Sequence, residues 1–240
     1  MTRSELPSLA AAADMDAVDA EPFGAGSDVI LQQGHHALFG VSTGNSYFSR
    51  RRLVHAVTWA AAHFDAVDVV YSDLYLDTMC EAFGYESEDA RRSAVKQLRG
   101  VRRRIEGALE DAGTAAKRVR ARPLSDFLEE PAYQEVRARA LAALRTDTEL
   151  RNVRDEMAYG FLAKRLDPGT FPTSRQVEVV LDYVDAELPF FVDSPSILGV
   201  ESSVHCYHTV LALGRLLFGD RAVGLRPADN QGYAIVACQD

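Results

Sequence analysis

Ser42 is the first candidate for chemistry because of the segment that contains it. The apolar run from Ala37 to Val41 is typical of a buried strand, and five small or turn-forming residues, 42–46, follow it. A helical pattern begins near Ser49. In an open α/β sheet the carboxyl ends of the strands face the ligand crevice, so Ser42 is predicted to lie at that crevice. The same loop also fits an ordinary connection whose serine only caps the helix.

A serine hydrolase is one function that this loop could support. The segment Gly40-Val41-Ser42-Thr43-Gly44 matches the nucleophile elbow, Gly-x-Ser-x-Gly. His208 would then be the base, and Asp193 or Asp73 would orient it. A pattern with three fixed positions often arises by chance, so the signal is weak. A serine hydrolase or acyltransferase that uses Ser42 and His208 stays open as an alternative.

Metal and nucleotide chemistry have little support in the sequence. His205, Cys206 and His208 are zinc-type ligands, but no second pair at metal spacing completes a tetrahedral set. Neither a Walker motif nor a Gly-x-Gly-x-x-Gly segment after a strand is present. We therefore expect no metal and no cofactor.

Basic residues gather on one predicted helix, about 87–112. Four of them fall in a narrow strip at 3.6 residues per turn, and two more widen it. We call these six residues the basic ridge: Arg92, Lys96, Arg99, Arg103, Arg102 and Arg104. The broadly opposite side is apolar: Val95, Leu98, Val101, Ile105 and Leu109.

The charge pattern of the basic ridge favours a phosphate-bearing partner. No acid interrupts it between residues 91 and 104, although the chain carries a net charge of −9. A solvated helix face normally mixes signs, whereas a local basic patch can bind phosphates whatever the net charge. A plain solvated face is the alternative.

Length and composition bound the class of protein. The 240 residues fit one α/β domain with a sizeable core, and no apolar run approaches the ~20 residues of a membrane span. Acids interrupt the amino end where a signal peptide would be apolar, and three widely spaced cysteines suit a reducing compartment. We expect a cytoplasmic monomer without membrane contact. Residues 1–27 are predicted to be a disordered acidic tail, before a single catalytic domain over 28–240.

The order of predicted elements indicates how these residues are positioned. The run 67–71 is β-branched and of strand length, and it follows a helical pattern over 50–65. A second strand after a crossover helix gives a parallel α/β sheet with helices on both faces. Five more helices are predicted, with a loop and a final strand: helices at 74–83, 131–145, 148–165 and 174–186, the last ended by Pro189, then a loop over 192–206, a helix over 207–218 and a strand over 232–237.

Two short motifs, far apart in the sequence, together resemble motifs of one enzyme family. Gly-Asn-Ser-Tyr-Phe-Ser at 44–49 and Ser-Ser-Val-His-Cys-Tyr-His at 202–208 are similar to the cyclodipeptide synthases. Asn45, Tyr207 and His208 match the signature of a subfamily named for those residue types. The resemblance covers most of the chain, and it implies a Rossmann-like fold similar to the catalytic domain of class I aminoacyl-tRNA synthetases.

The resemblance also implies an activity. Cyclodipeptide synthases join the amino acids of two aminoacyl-tRNAs, bound successively, into a diketopiperazine, and they need no ATP because the ester is already activated. By matching positions, Ser42 would receive the first aminoacyl group, while Gly40 and Asn45 would line the site. The basic ridge matches the tRNA-binding helix of the family. A catalytically silent RNA-binding domain that keeps only the ridge is a third hypothesis.

Matching positions imply further roles in catalysis. Tyr183 and Glu187 would hold the aminoacyl ammonium, with Glu187 also a candidate for proton transfer, and their spacing of four places both on one helix face. Tyr207 would relay a proton during cyclisation, and His208 would support the site.

Two side-chain pockets are implied by the same matches. The first looks apolar and would accept an uncharged residue; its positions are Leu38, Val70, Met157, Phe190 and Phe191. The second involves Lys164, Arg165 and His205, with Val210 nearby, and no acid balances these groups. A buried cation without a partner is costly, so the second amino acid is predicted to be acidic, Glu more than Asp. Alternatively, Lys164 and Arg165 point outward to tRNA phosphates.

Overall fold

A six-stranded sheet forms the centre of the computed structural model, which describes residues 17–239. Its strands are β1 Val18–Pro22, β2 His36–Val41, β3 Ala66–Tyr71, β4 Val119–Pro123, β5 Ser203–Tyr207 and β6 Gln231–Cys238. Their order in the sheet is β1-β6-β5-β2-β3-β4. The strands from β6 to β4 pair in parallel, and only β1 among those described is antiparallel. The predicted parallel α/β sheet is confirmed, with one antiparallel strand added at its edge.

Helices cover both faces of the sheet, as predicted. They are α1 Ala25–Gln33, α2 Arg50–His63, α3 Leu76–Ala82, α4 Ser87–Ala112, α5 Pro131–Thr146, α6 Thr148–Ala163, α7 Ser174–Leu198 and α8 Ala212–Phe218. Successive strand residues point to opposite faces, so Leu38 joins the core under α5 to α8 and Phe39 joins the core under α2 and α4. No helix within residues 17–239 is both long and apolar enough to cross a membrane.

The amino end of the described chain is ordered, which corrects the predicted tail over 1–27. Residues 18–22 form β1, and the register places Val18 opposite Cys238. The strand is half exposed along its length, so it needs few apolar side chains and its composition resembles that of a tail. Residues 1–16, the rest of the predicted tail, lie outside the described residues.

The helix α7 is longer than its sequence pattern predicts. It begins with a capping box between Thr173 and Gln176 and passes through Pro189. The backbone is not helical at Asp193, where the helix is kinked, and a second helical stretch ends at Leu198. Proline normally stops a helix. Here the residues after Pro189 are buried in the core, so tertiary packing outweighs the lost hydrogen bond.

The segment after α7 also differs from its prediction. Residues 203–207 form β5 instead of a loop, and the helix predicted from Tyr207 begins only at Ala212, as α8. Because β5 lies parallel and next to β2, its end places Tyr207 beside the loop that carries Ser42. The strand β5, which the sequence did not predict, therefore forms part of the site.

Candidate active site

The carboxyl ends of β2, β3 and β5 open onto a cavity of about 780 Å³. Ser42 lies on its wall, as predicted from its position after a buried strand. The cavity brings together most of the predicted catalytic and pocket residues: Leu38, Gly40, Ser42, Asn45, Val70, Met157, Lys164, Arg165, Tyr183, Glu187, Phe190, Phe191, His205 and Tyr207. Two predicted residues do not line it. His208 contacts the side chain of Asn45, and Val210 lines a neighbouring depression.

The loop 42–46 is fixed by hydrogen bonds within it and to the neighbouring strand end. The Asn45 amide donates to the Ser42 carbonyl at 3.2 Å, and Gly44 takes a positive φ of 82° that favours glycine. The Thr43 amide donates to Ser72 Oγ at 3.0 Å, which ties the loop to the end of β3. The cap of α2 is Ser49, whose hydroxyl accepts from the Arg52 amide. Ser42 is therefore not a helix cap.

The Ser42 hydroxyl is paired with a phenol. Ser42 Oγ lies 3.3 Å from Tyr207 Oη. The Asn45 side-chain amide donates towards Tyr207 Oη at 3.5 Å and towards His208 Nε2 at 3.4 Å. Asn45 Oδ1 accepts from the Tyr47 amide at 3.0 Å, which fixes the orientation of the Asn45 amide group. Asn45 thus positions both Tyr207 and His208.

His208 is held as a neutral ring rather than as a base for Ser42. Burial, and then the positive charges of Arg52 and Lys164, lower the pKa of His208 to about 4. Its ring stacks on Tyr47 with centroids 3.8 Å apart, and its Nε2 accepts from Asn45 because an amide N–H can only donate. Ser42 and His208 are therefore not joined as a hydrolase dyad.

The two candidate orienting acids of a hydrolase are engaged elsewhere. Asp193 Oδ2 accepts from Arg139 at 3.2 Å. Asp73 accepts from the amide and the hydroxyl of Ser125 at 2.9 and 2.6 Å. Neither pairs with His208, so the geometry does not support the nucleophile-elbow interpretation.

Tyr183 and Glu187 project from α7 into the cavity, on one helix face as predicted. Tyr183 Oη lies 3.5 Å from Ser72 Oγ. Burial raises the pKa of Glu187 to about 7, although the Tyr183 hydroxyl acts against this rise. Burial and the nearby Glu187 carboxylate hold the pKa of Tyr183 well above its usual value. Glu187 can therefore gain or lose a proton near neutral pH, and its carboxylate can bind an ammonium group.

His205 is an uncharged ring in the cavity. It is buried, and burial lowers its pKa to about 4. It lies against Phe191, with ring centroids 4.4 Å apart, and opposite Leu38 in the pairing of β5 with β2. His205 therefore belongs to the apolar pocket with Leu38, and its assignment to a cationic pocket is corrected.

Lys164 and Arg165 stand at the mouth of the cavity. Both residues are exposed, and the Arg165 guanidinium lies 3.4 Å from the centroid of the Phe161 ring. Glu156, an acid that the sequence prediction did not include, lines the same cavity. The sequence could not show that a residue eight positions before Lys164 faces the same space.

The basic ridge lies on α4, and its members differ in what holds them. Lys96, Arg99 and Arg103 are exposed and form no ion pair with any residue between 17 and 239. Arg92 pairs with Glu88 and Asp89, whereas Arg102 donates to the Tyr71 hydroxyl at 3.1 Å.

One side of α4 approaches the loop of Ser42. A Cβ added at Gly44 would lie 3.6 Å from Gln97 Oε1. On the apolar side Val101 and Ile105 are buried as predicted, but Val95 is 46% exposed. The ridge therefore runs on the helix that passes next to the cavity.

Several residues of the cavity were not identified from the sequence. Ser72, Thr43, Leu124 and Glu156 line it, and Tyr47 supports it by stacking on His208. Ser72 carried a usable signal because it follows β3 directly, as Ser42 follows β2. Over residues 17–239 no group of three or more His, Cys, Asp or Glu side chains is arranged to hold a metal ion.

The chain resembles known proteins over most of its length. A model of the cyclodipeptide synthase family matches residues 18–238. A cyclo(L-tyrosyl-L-tyrosyl) synthase of Mycobacterium tuberculosis is 43% identical over 215 residues, which are 90% of this chain and 74% of that protein. A cyclo(L-leucyl-L-phenylalanyl) synthase of Streptomyces noursei is 38% identical over 92% of each chain.

Solved structures show the same fold. A crystal structure of a cyclo(L-leucyl-L-phenylalanyl) synthase superposes with a TM-score of 0.87 at 37% identity, over 93% of this chain and 99% of that one. A structure from Mycobacterium tuberculosis has a TM-score of 0.82 at 40% identity, over 94% and 95% of the two chains. It is described as demonstrating that cyclodipeptide synthetases are related to type I tRNA synthetases.

Proposed function

The chain belongs to the cyclodipeptide synthase family, and we propose that it condenses the amino acids of two aminoacyl-tRNAs through a covalent ester on Ser42. The observation that carries the proposal is the pairing of Ser42 Oγ with Tyr207 Oη at 3.3 Å. This pair lies in the cavity that also holds Glu187. A hydroxyl, a proton relay and an ammonium site are the groups that such a condensation needs.

The first step is an acyl transfer. Ser42 Oγ attacks the carbonyl carbon of the aminoacyl ester, the bond to the tRNA ribose oxygen breaks, and the serine proton passes to that oxygen. One ester replaces another, so no energy source is required. In the second step the α-amine of the bound residue attacks the ester carbonyl of the second aminoacyl-tRNA. The bond to the second ribose oxygen breaks, the amine proton passes to that oxygen, the second tRNA leaves, and a dipeptide remains on Ser42.

Cyclisation releases the product and restores the serine. The free α-amine of the dipeptide attacks the ester carbonyl at Ser42, which closes the diketopiperazine ring and returns a proton to Ser42 Oγ. We assign the relay of this proton to Tyr207, and the direct contact of its hydroxyl with Ser42 supports this assignment. Glu187 holds the ammonium group as a carboxylate, and its pKa of about 7 lets it take a proton as the amine becomes a nucleophile.

The basic ridge is proposed to bind the tRNA backbone. Its exposed members Lys96, Arg99 and Arg103 lie on α4, the helix whose Gln97 adjoins the loop of Ser42. Phosphate contacts position a nucleic acid without reading its bases. Arg92 contributes less because Glu88 and Asp89 already neutralise it.

That the second amino acid is acidic stays a prediction, and fewer residues now support it. His205 no longer supports it, since the ring is neutral and deep in the cavity. Lys164 and Arg165 at the mouth still offer positive charge, but Glu156 shares that region. A cyclodipeptide that contains Glu or Asp would support the prediction, and a product without either would reject it.

Expression in a bacterium with mass spectrometry of the medium tests the proposed function. The wild type should release a diketopiperazine that is missing with Ser42→Ala. The double substitution Arg99→Glu with Arg103→Glu should also reduce the product, because tRNA binding depends on phosphate contacts. A hydrolase of small esters would be indifferent to that charge reversal. Absence of any cyclic dipeptide from wild-type cultures with soluble protein would contradict the proposal.

A further inference from the structure

We propose that the side chain carried on Ser42 is aromatic with a hydrogen-bond donor at its far end, and that His205 Nε2 accepts that donor. Tyrosine is the best match, and tryptophan offers the same chemistry through its indole N–H. The inference rests on the proposed function, since it names the substrate class of the same cavity.

The contacts of His205 determine which ring nitrogen carries the proton. His205 Nδ1 lies 3.3 Å from the Phe190 carbonyl oxygen. A carbonyl oxygen can only accept, so Nδ1 carries the hydrogen and donates. The ring is neutral at physiological pH because burial lowers its pKa. Nε2 therefore presents a lone pair and can only accept a hydrogen bond.

That lone pair faces the cavity without a partner. Both His205 and Gly40 line the cavity, and a Cβ added at Gly40 would lie 3.5 Å from His205 Nε2. Glycine at this position leaves open the space in front of the nitrogen. The described part of the chain provides no hydrogen-bond donor to Nε2, so this acceptor is available to a bound substrate.

The distance between Ser42 and His205 determines how long the side chain of the bound amino acid must be. Gly40 and Ser42 are two residues apart along the chain, and so are His205 and Tyr207. Two residues of extended strand cover roughly 6–7 Å, so the acceptor lies about that far below the pair formed by Ser42 and Tyr207. A serine or threonine side chain is too short to reach it, whereas an aromatic ring with a terminal donor spans the distance.

The surrounding walls favour an aromatic ring. His205 lies against Phe191, and Tyr233 lies edge-on behind it at 5.9 Å between centroids. The other nearby walls are apolar: Leu38, Val70, Leu124 and Phe190. A charged side chain would be desolvated there without a counter-ion. One acceptor in an apolar pocket selects a large apolar side chain with one donor.

The composition of the wild-type product is the first test. Medium from bacteria that express the wild-type chain should contain cyclodipeptides with tyrosine or tryptophan. Cyclodipeptides that contain only donor-free side chains, such as Leu, Met or Phe, would overturn the inference while the proposed function stands. No cyclodipeptide of any composition would remove the proposed function, and this inference would fall with it.

Variants at the acceptor are the second test, with phenylalanine as the donor-free counterpart of tyrosine. His205→Leu should lower the ratio of Tyr- and Trp-containing to Phe-containing products roughly tenfold, because a buried donor would lose its partner. His205→Asn keeps a hydrogen-bond acceptor, so its product ratio should lie between those of the wild type and His205→Leu. His63→Leu makes the same chemical change on the exposed end of α2 and should leave the ratio unchanged.

A substitution at Gly40 leaves the imidazole of His205 in place, so it tests the same contact even if substitutions at position 205 prevent folding. Gly40→Ala places a methyl group in front of Nε2 and should also lower the ratio of Tyr- to Phe-containing products. An unchanged ratio in both His205→Leu and Gly40→Ala would overturn the role of His205. If His205→Leu yields no soluble protein, Gly40→Ala and the wild-type product decide the question.

Discussion

Two polar clusters lie on the same face of the sheet, and both contain a serine and a histidine. The cavity cluster consists of Ser42, Asn45, Tyr207 and His208, at the carboxyl ends of the strands. The sheet cluster lies deeper among the strands and consists of His36, Asp68, Arg120 and Ser203. In the sheet cluster His36 Nδ1 contacts Ser203 Oγ at 2.8 Å, and His36 Nε2 contacts Asp68 Oδ2 at 3.1 Å.

The sheet cluster has the better Ser-His-Asp alignment, yet the cavity cluster has the access that a reaction needs. Ser203, His36 and Asp68 are at most 1% exposed, and none of them lines the described cavity. Ser42 and Tyr207 both line it. Residue types and hydrogen bonds alone therefore do not identify an active site, because a substrate must also reach the nucleophile.

One strand illustrates the difference. Alternate residues of β5 point to the same face, so Ser203, His205 and Tyr207 stand at three depths. Ser203 is buried in the sheet cluster, His205 lines the cavity, and Tyr207 contacts Ser42. We infer that these three positions serve stability, specificity and chemistry in turn.

Removing each serine should separate the two clusters most strongly. Ser42→Ala should reduce cyclodipeptide formation at least ~10³-fold, since the covalent route is lost, without lowering the free energy of unfolding by more than a few tenths of a kcal/mol. Ser203→Ala should do the reverse, with a loss of about 1–3 kcal/mol because His36 keeps a buried nitrogen without a partner. Product assays per folded molecule and urea unfolding measure both. Equal cyclodipeptide formation by the two variants would contradict the assignment of the reaction to the cavity cluster and of stability to the sheet cluster.

Tyr207→Phe should split the chemistry within the cavity cluster. The variant keeps the ring but loses the relay, so cyclisation should fall roughly 100-fold while Ser42 is still acylated. Rapid-quench measurements of the acyl-enzyme and of the cyclic product distinguish the two steps. Undiminished product formation would remove Tyr207 from the mechanism.

Glu187 should lower stability at high pH. Its folded pKa of about 7 is raised above the usual carboxyl value, so the folded state binds this proton more tightly and stability falls as pH rises from about 4 through 7. Glu187→Gln lacks this loss and should be more stable than the wild type by roughly 2–4 kcal/mol at pH 8, although inactive. Urea unfolding from pH 5 to 8 measures the difference, and a constant difference would contradict the raised pKa.

Asp68 should show the opposite pH dependence. Burial alone would raise its pKa, but hydrogen bonds from His36 and Arg120 hold the pKa below its usual value. Its contribution to stability is therefore present above the unfolded pKa of about 4 and is lost as pH falls below it. Asp68→Asn should cost about 2 kcal/mol at neutral pH and flatten the acid limb of the stability curve. An unchanged acid limb would show that the sheet cluster is not ionised as described.

The sequence predicted the half of the site that depends on local pattern. Ser42 follows an apolar run and precedes a turn, so its place at a strand end could be predicted. The spacing of Tyr183 and Glu187 placed both on one helix face. The strand β5 was missed because a five-residue segment with a histidine and a cysteine becomes a strand only through its pairing with β2 and β6.

The charges of the side chains around the cavity were the least predictable from the sequence. His205 is a titratable ring by residue type, but its burial against Phe191 makes it neutral. Glu156 was not identified because its place at the cavity arises from the packing of α6. Both depend on the three-dimensional surroundings of a side chain, which neither residue type nor periodicity records.

The most direct test of the account is the intact mass of the protein after brief incubation with aminoacyl-tRNA, followed by peptide mapping. The wild type and Ser203→Ala should both gain the mass of one aminoacyl group at Ser42, and Ser42→Ala should gain none. An adduct that persists in Ser42→Ala, or product formation without any adduct, would contradict a covalent intermediate on the serine of the cavity cluster.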